Sequence, residues 1–484
     1  MPDILLIFGI IAVVLSVTAL LSGVVERSPL SFPLIFLGLG FVLSERGFGV
    51  IEIGPHDPLL QVVATVTQSL VLFLDAVNLS FAEVGRRWMV PALVLGPGTV
   101  LIITLGAVPL ALLRGFGWVL AFTGGAILAS TDPVVLREII RDRRIPRSVR
   151  QTLKIEAGTN DIVILPVVLV LIAVAQEEMS SAAGWVGLLA RLLLIGPGIG
   201  MAIGGLGSWL MAQVDKRMSI RREHQALYGI GLVLAAYTAA TAAGGDGFLA
   251  AFGAGIAVVL LGQRLCDCFL EYGETTSEVA MLLAFVLFGA VLAGMIGTVS
   301  IPLALGLAAI VILVVRPAVL GIVLARTKMS WEAHALVSWF GPRGLNSLLL
   351  ALLVVEAGVA GSELLMAAVG VVVLVSVTVH GGTATPFSAW YGRMASRRTL
   401  EEEREATAAG LFARHHEHEA LVTPEELHTL VAEPNPPVVL DVRSRSSYDG
   451  DGAQIPGSVR VLPDEAVEWA ADQPRDRLVV AYCA

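Results

Sequence analysis

Long apolar runs separated by short polar breaks fill the first 390 residues. A helix needs roughly 20 apolar residues to cross the hydrocarbon of a bilayer. Runs of that order lie at about 3–25, 28–44, 59–80, 89–113, 116–140, 149–175, 183–213, 224–243, 247–264, 274–296, 298–325, 331–354 and 363–386. The pattern predicts an all-α polytopic membrane protein of about 13 transmembrane helices. Residues 3–25 stay apolar for too long, and without a basic lead, to be a cleavable signal, so they count as the first span. After Pro386 the pattern changes to a charged and then a mixed, shorter-period sequence.

Composition agrees with this division. The chain is 56% hydrophobic and 15% charged, where a soluble domain carries about 25% charged residues. Its net charge of −9 gathers after Glu401 and says little about the spans. Basic residues set the orientation. With the N-terminus outside, 19 Lys and Arg fall in inner loops, and only Arg46 and Arg114 in outer ones. This places the C-terminus in the cytoplasm and the spans in a plasma or inner membrane. Cys266, Cys268 and Cys483 form no disulfide framework.

Two spans are interrupted. The fifth contains Thr131-Asp132-Pro133 and the twelfth Gly341-Pro342-Arg343-Gly344. Proline has no N–H, so the carbonyls of Ala129 and Ser338 lose their helical partners. Freed groups persist in a membrane only where they line a cavity or meet other protein. The breaks lie seven spans apart, an odd number, so the two helices run in opposite directions. Spans 1–6 and 8–13 then form inverted repeats joined by span 7, and paired interruptions in inverted halves point to a transport site.

Charges near these breaks are costly in lipid and need a reason. On the sixth span Glu156 and Asn160 share a face, and Ala157 and Asp161 share the next, with Gly158 one turn before Asp161. Burial favours the neutral form of a carboxylate. Such a group releases a proton to bind a monovalent cation and later takes it back. Asp161 is the expected shared site. Asp75, in Phe73-Leu74-Asp75-Ala76, is expected to complete the cation's oxygen shell, and Asp132 to orient the unwound backbone or bind its amides. Glu156 is expected to pair with Arg343 of the other break. Lys154 snorkels, and Arg316-Pro317 has a structural role. There is no Gly-x-x-x-x-Gly-Lys-Ser/Thr loop for ATP. No cofactor is expected beyond the transported Na+ and H+, and no nucleic-acid partner.

Thr131-Asp132-Pro133, Glu156-x-x-x-Asn160-Asp161 and Gly341-Pro342-Arg343-Gly344, in this order on these spans, resemble the monovalent cation–proton antiporter family in its Na+/H+ exchanger branch. Phe73-Leu74-Asp75-Ala76 resembles that branch's third-span motif. The resemblance covers residues 1–390. It implies a homodimer in the bilayer, whose six-helix core moves like an elevator against a dimerisation domain. The core would be residues 89–175 and 298–386, and the dimer helices 3–80 and 183–296, within a transmembrane domain of 1–392. It implies that Asp161 binds the ion and the proton, in a cation- and proton-binding set with Asn160, Asp132, Thr131 and Asp75, that Thr131 and Asp132 belong to the crossover, and that Glu156 and Arg343 form the buried bridge. Members with Asn before the Asp are generally electroneutral, so Asn160 implies one cation for one proton, with Na+ first and Li+ next. One departure stands out. Many members place Ser after the Glu, and here it is Ala157, so a water, Thr159 or a backbone carbonyl is expected to replace the missing hydroxyl.

Residues 393–420 read as a charged helical linker with His415, His416 and His418 on a solvated face. From 421 to 484 an α/β piece is predicted. A helix starts at Thr423 with Glu426 in a capping box, a strand covers Pro437–Arg443, Ile455–Ser458 turns, and a second, buried strand covers Arg477–Cys483. This resembles an incomplete rhodanese-like domain with Cys483 at the sulfur-carrying position and Gln454 where that family often has His. Nothing after Cys483 supplies an anion cradle, so the piece is expected to be inactive as a sulfurtransferase and to meet a cytoplasmic regulator. The leading expectation is Na+/H+ antiport. A K+/H+ or broad-selectivity exchanger, a cation channel or sensor, and a membrane-tethered sulfurtransferase are the alternatives.

Overall fold

The structure, a computed structural model, describes residues 4–25, 31–79, 89–112, 116–142, 144–177, 181–261, 263–327, 329–397, 422–432, 436–450, 453–474 and 477–482. Each of the thirteen expected spans meets a helix or a pair of half-helices. They are α1 (Ile4–Val25), α2 (Phe32–Leu43), α3 (Pro58–Val77), α4 (Met89–Leu112), α5 (Trp118–Ile127) with α6 (Pro133–Arg141), and α7 (Arg147–Ala175). Then follow α8 (Ala182–Met218), α9 (Arg222–Ala242), α10 (Gly247–Leu261), α11 (Gln263–Gly294), α12 (Ile301–Val323), α13 (Trp331–Trp339) with α14 (Leu345–Glu356), and α15 (Ser362–Arg397). Among the described residues eight helices are long and apolar enough to cross a membrane, and the shorter apolar ones supply the rest.

Both interruptions fall where proline predicts them. Residues 128–132 are non-helical between α5 and α6, and 340–344 between α13 and α14. Three π-helical turns are described, at Val94–Gly98 and Val311–Val315 in the fourth and eleventh spans, also seven apart, and at Arg191–Ile195 in the seventh. Such turns widen a helix locally and recur at functional sites.

The chain divides into two units. The first comprises Met1–Leu136, Lys154–Leu324 and Ser338–Thr383. Its helices pack through small residues. A Cβ on Gly196 or Gly204 of α8 would collide with the backbone of Asp246 or Ala254, which shows how closely α8 and the start of α10 approach. Without a hydrophobic driving force in lipid, such close contact carries helix association.

The second unit comprises Arg137–Leu153, Ala325–Val337 and Ala384–Ala484. Its sheet has β1 (Val438–Asp441), β2 (Val459–Arg460) and β3 (Val479–Tyr482) in the order β2-β1-β3, all parallel. Around them lie α16 (Pro424–Val431), α17 (Arg445–Gly450) and α18 (Ala466–Ala471). Both halves of the Thr423–Glu426 capping box are present. The central strand β1 is buried throughout, whereas β3 alternates between exposed and half-buried positions. Burial of this second strand was the expectation. It lies at a sheet edge, so only β1 pairs with it. Residues 398–420 of the linker, with His415, His416 and His418, and also Cys483, lie outside the described residues.

Candidate ion-binding site

The site forms where the two breaks cross, and its first task is to satisfy the backbone that the prolines free. The carbonyl of Ala129, orphaned by Pro133, accepts from Asn160 Nδ2 at 2.9 Å, and the same amide reaches Thr131 Oγ1 at 3.0 Å. Arg343 Nη1 donates to the Ser130 carbonyl at 3.1 Å and approaches that of Ala129 at 3.5 Å. Ser347 Oγ donates to the Ile127 carbonyl at 3.1 Å. In the other direction, the Asp132 N–H donates to the Pro342 carbonyl at 2.9 Å. Each break supplies partners to the other, as freed backbone in lipid requires.

Asp132 is the joint between them. Its Oδ1 accepts the Val134 N–H at 2.8 Å, capping α6, and its Oδ2 accepts the Leu345 N–H at 2.6 Å, capping α14. A carboxylate at two helix N-termini is favoured by both macrodipoles. A Cβ on Gly344 would overlap this carboxylate, which is why the second break ends on glycine. The sequence puts Asp132 among the cation-binding residues. Its contacts are those of the alternative weighed beside that, a group binding the amides of unwound backbone.

Asp161, on α7, is 1% exposed. Ser130 Oγ donates to its Oδ1 at 2.7 Å, and Asn346 Nδ2 donates to its Oδ2. Among the described residues no lysine or arginine bonds to either oxygen. Asp75 on α3 is also buried, with Oδ1 placed 3.9 Å from where a Cβ on Gly158 would stand, and close enough to Asp161 for the two charges to interact. Its Oδ2 has no hydrogen-bond partner, and neither has Asn160 Oδ1. Two neutral donors therefore hold Asp161, and two buried acceptor oxygens are left without donors. That is the complement a desolvated cation needs, since hard cations take oxygen ligands. Gln68, two turns before Asp75 on α3, likewise has no protein partner for either amide atom and lines a cavity of about 20 Å³, the room of one water.

The expected Glu156–Arg343 bridge is corrected by the structure. Arg316 of α12 takes both oxygens of Glu156, Nη1 to Oε1 at 2.6 Å and Nη2 to Oε2 at 3.0 Å. Arg316 Nη2 also donates to the Phe340 carbonyl at 3.0 Å. The fork geometry of guanidinium matches a carboxylate with two parallel bonds. A Cβ on Gly341 would collide with the Arg316 side chain, so this glycine makes the room that seats it against the second break. Arg343 instead turns to the carbonyl end of α5. Its own N–H donates to Ser376 Oγ at 2.7 Å.

Sequence reasoning passed over Ser130, Asn346 and Ser347 as site residues. The signal was there, since each is a polar residue within a lipid-length span and within five residues of a break proline. No hydroxyl stands at Ala157, but that of Ser130 reaches Asp161 from the first break. Thr159 gives its proton to the Ile155 carbonyl of its own helix at 2.6 Å.

A family model described as "Sodium/hydrogen exchanger, transmembrane" matches residues 12–390. A protein of Alkalimonas amylolytica named K(+)/H(+) antiporter NhaP is 26% identical over 80% of this chain and 66% of its own length. One of Shewanella sp. strain MR-4, named K(+)/H(+) antiporter NhaP2, is 28% identical over 78% of this chain and 66% of its own. The chain thus spans just under two thirds of the length of these curated relatives. The solved sodium proton antiporter MjNhaP1 of Methanocaldococcus jannaschii superposes with a TM-score of 0.64 at 18% identity, covering 81% of this chain and 98% of that one.

Proposed function

The chain belongs to the transmembrane sodium/hydrogen exchanger family, and from this premise we propose that it is a secondary antiporter exchanging a monovalent cation for H+, with Asp161 as the shared site. It is an integral membrane transporter rather than an enzyme. The observation that carries the mechanism is the division of labour among four buried carboxylates. Glu156 is held by Arg316, and Asp132 by backbone amides of two helices. Asp161 is held by a hydroxyl and an amide alone. A neutral donor set can stay in place whether the carboxyl holds a proton or faces a cation, so exchange breaks no ion pair. Asp75 and the free oxygen of Asn160 supply further ligands in this reading, and Thr131 fixes Asn160.

The Asn160-Asp161 pair, in place of two adjacent aspartates, supports electroneutral 1:1 exchange. The transport unit in this reading is a homodimer, with a mobile core of residues 89–175 and 298–386 and the N-terminus outside. Na+ is the ion implied by the motifs. K+ is the second reading, favoured by the names of the relatives at 26% and 28% identity. The test is reconstitution with a pH dye inside vesicles, an imposed proton gradient and addition of Na+, K+ or Li+ in turn. A cation-dependent pH change that Asp161→Asn abolishes is expected. Full exchange in Asp161→Asn would refute the mechanism, and a rate that follows a clamped membrane potential would refute the stoichiometry.

A further inference from the structure

The second unit contains a cavity of about 540 Å³ that the transport reading does not use. Three separate stretches wall it: the loop before α7 with Arg144, the end of α15 with Arg393, and the C-terminal piece with Arg445, Tyr448 and Arg460. Ligand sites of small molecules run from about 300 to 1,000 Å³. The C-terminal piece is held against the first turn of α7, next to this loop, by direct bonds. Arg150 Nη2 meets Glu465 Oε1 at 3.0 Å, and the Arg147 N–H donates to Asp464 Oδ2 at 2.6 Å.

The arginines outnumber their partners. Arg144 is answered by Asp142 at 2.6 Å and Arg445 by Asp464 at 3.6 Å. Arg460 reaches Asp441 only at 3.6 Å, because Arg443 already holds that carboxylate at 2.8 Å. Arg393 has no carboxylate within ion-pair distance among the described residues. Arg460 also lies 4.5 Å over the Tyr448 ring, which fixes its guanidinium at the wall. Burial lowers the Arg460 pKa; among its neighbours Asp441 and Tyr448 act to raise it and Arg443 and Arg445 to lower it.

We propose that this cavity binds a phosphate-bearing anion that ties the C-terminal piece to the loop before α7 and the end of α15. Phosphate accepts from guanidinium forks as carboxylate does, and here Arg144, Arg393, Arg445 and Arg460 meet three carboxylates, one of which, Asp441, is shared with Arg443. The source is a soluble phosphate compound or the headgroup of an anionic lipid. The inference is independent of antiport, and its test reads binding alone.

The full chain in phosphatidylcholine nanodiscs is titrated with inorganic pyrophosphate by calorimetry at low salt. In a second arm, nanodiscs containing phosphatidylglycerol are exchanged into phosphatidylcholine, and retained phosphatidylglycerol is measured. Arg393→Glu and Arg445→Gln are run beside the wild type, with circular dichroism to verify folding and Arg393→Gln in reserve. Saturable pyrophosphate binding weakened at least tenfold by both variants establishes the site for a soluble anion. Phosphatidylglycerol retention lost in both variants establishes it for a lipid headgroup. No binding in either arm, or binding that both variants leave intact, overturns the proposal.

Discussion

Removing the Arg316 guanidinium should be the most damaging single charge deletion in the membrane part. Arg316 and Glu156 are 2% and 3% exposed, so Arg316→Gln leaves a carboxylate buried without its cation. Breaking a buried pair from one side costs about 3–5 kcal/mol. At about 1.4 kcal/mol per power of ten, that is roughly two to four powers of ten in the unfolding constant. The double variant Glu156→Gln with Arg316→Gln should recover most of the loss. What remains is about 1 kcal/mol for the bond to the Phe340 carbonyl. The assay is unfolding in mixed detergent micelles followed by tryptophan fluorescence, arranged as two double-mutant cycles. Glu156 with Arg316 should give a coupling well above that of Glu156 with Arg343, since the second pair shares no hydrogen bond. Wild-type stability in Arg316→Gln, or the larger coupling on Arg343, would refute the assignment.

Three further outcomes follow from the same contacts. Asp132→Asn should destabilise by about 2–3 kcal/mol, because an amide NH2 would face one of the two backbone N–H groups that Asp132 now accepts; mixed-micelle unfolding measures it, and an unchanged midpoint would refute the double cap. Gln68→Leu should leave stability unchanged or slightly raised, since no protein group bonds to either amide atom, and a clear loss in the same assay would mean that water in the adjoining cavity bonds to the amide. Outside the membrane, burial alone would raise the Asp142 carboxyl, but its bonds to Arg144 outweigh this and hold it below the ordinary 3.8. A depressed carboxylate stabilises above its unfolded pKa and loses that stability as pH falls through the folded one. Amide exchange across residues 137–153 should therefore be flat from pH 7 to about 5, after correction for intrinsic rates, and accelerate below about 4.

The helices were legible because hydrocarbon thickness imposes one length on every span, and the two breaks because proline there adjoins a charged residue, whereas Pro109, Pro166 and Pro386 lie inside continuous helices. The inverted halves followed from counting those breaks, and the π turns at Val94–Gly98 and Val311–Val315 fall in matching spans. Partner choice was not legible. Glu156 had two buried arginines within reach of its span, and sequence spacing ranks neither. The choice depends on a glycine, Gly341, whose missing Cβ makes room for Arg316. Ser130 and Asn346 were hidden for another reason. They are ordinary residues whose value comes only from converging on Asp161 from opposite breaks. In the tail, β1 was legible from its continuous apolar run, while the two-residue β2 carried too short a pattern to find.

The crossing also explains why Asp161 is left mobile in its partnerships. Interrupted helices expose positive N-terminal and negative C-terminal ends. Asp132 meets the positive ends, at α6 and α14, and Arg343 meets the carbonyls that follow α5. These opposite charges sit where the backbone's own field favours each, and neither can leave without exposing the dipole it answers. Glu156 and Arg316 neutralise each other and fasten α7 to α12. Once these four are committed, a proton or cation arriving at Asp161 changes the charge of the site without disturbing the charges that hold it together. The crossing can then be carried intact while its cargo changes, as rigid movement of a core requires. An additional fixed cation at Asp161 would end that separation. Asn346→Lys should lock the site by pairing with Asp161, giving a stable, well-folded protein without exchange in the vesicle assay. Exchange at the wild-type rate in that variant would show that the neutrality of the donor set is not what the mechanism depends on.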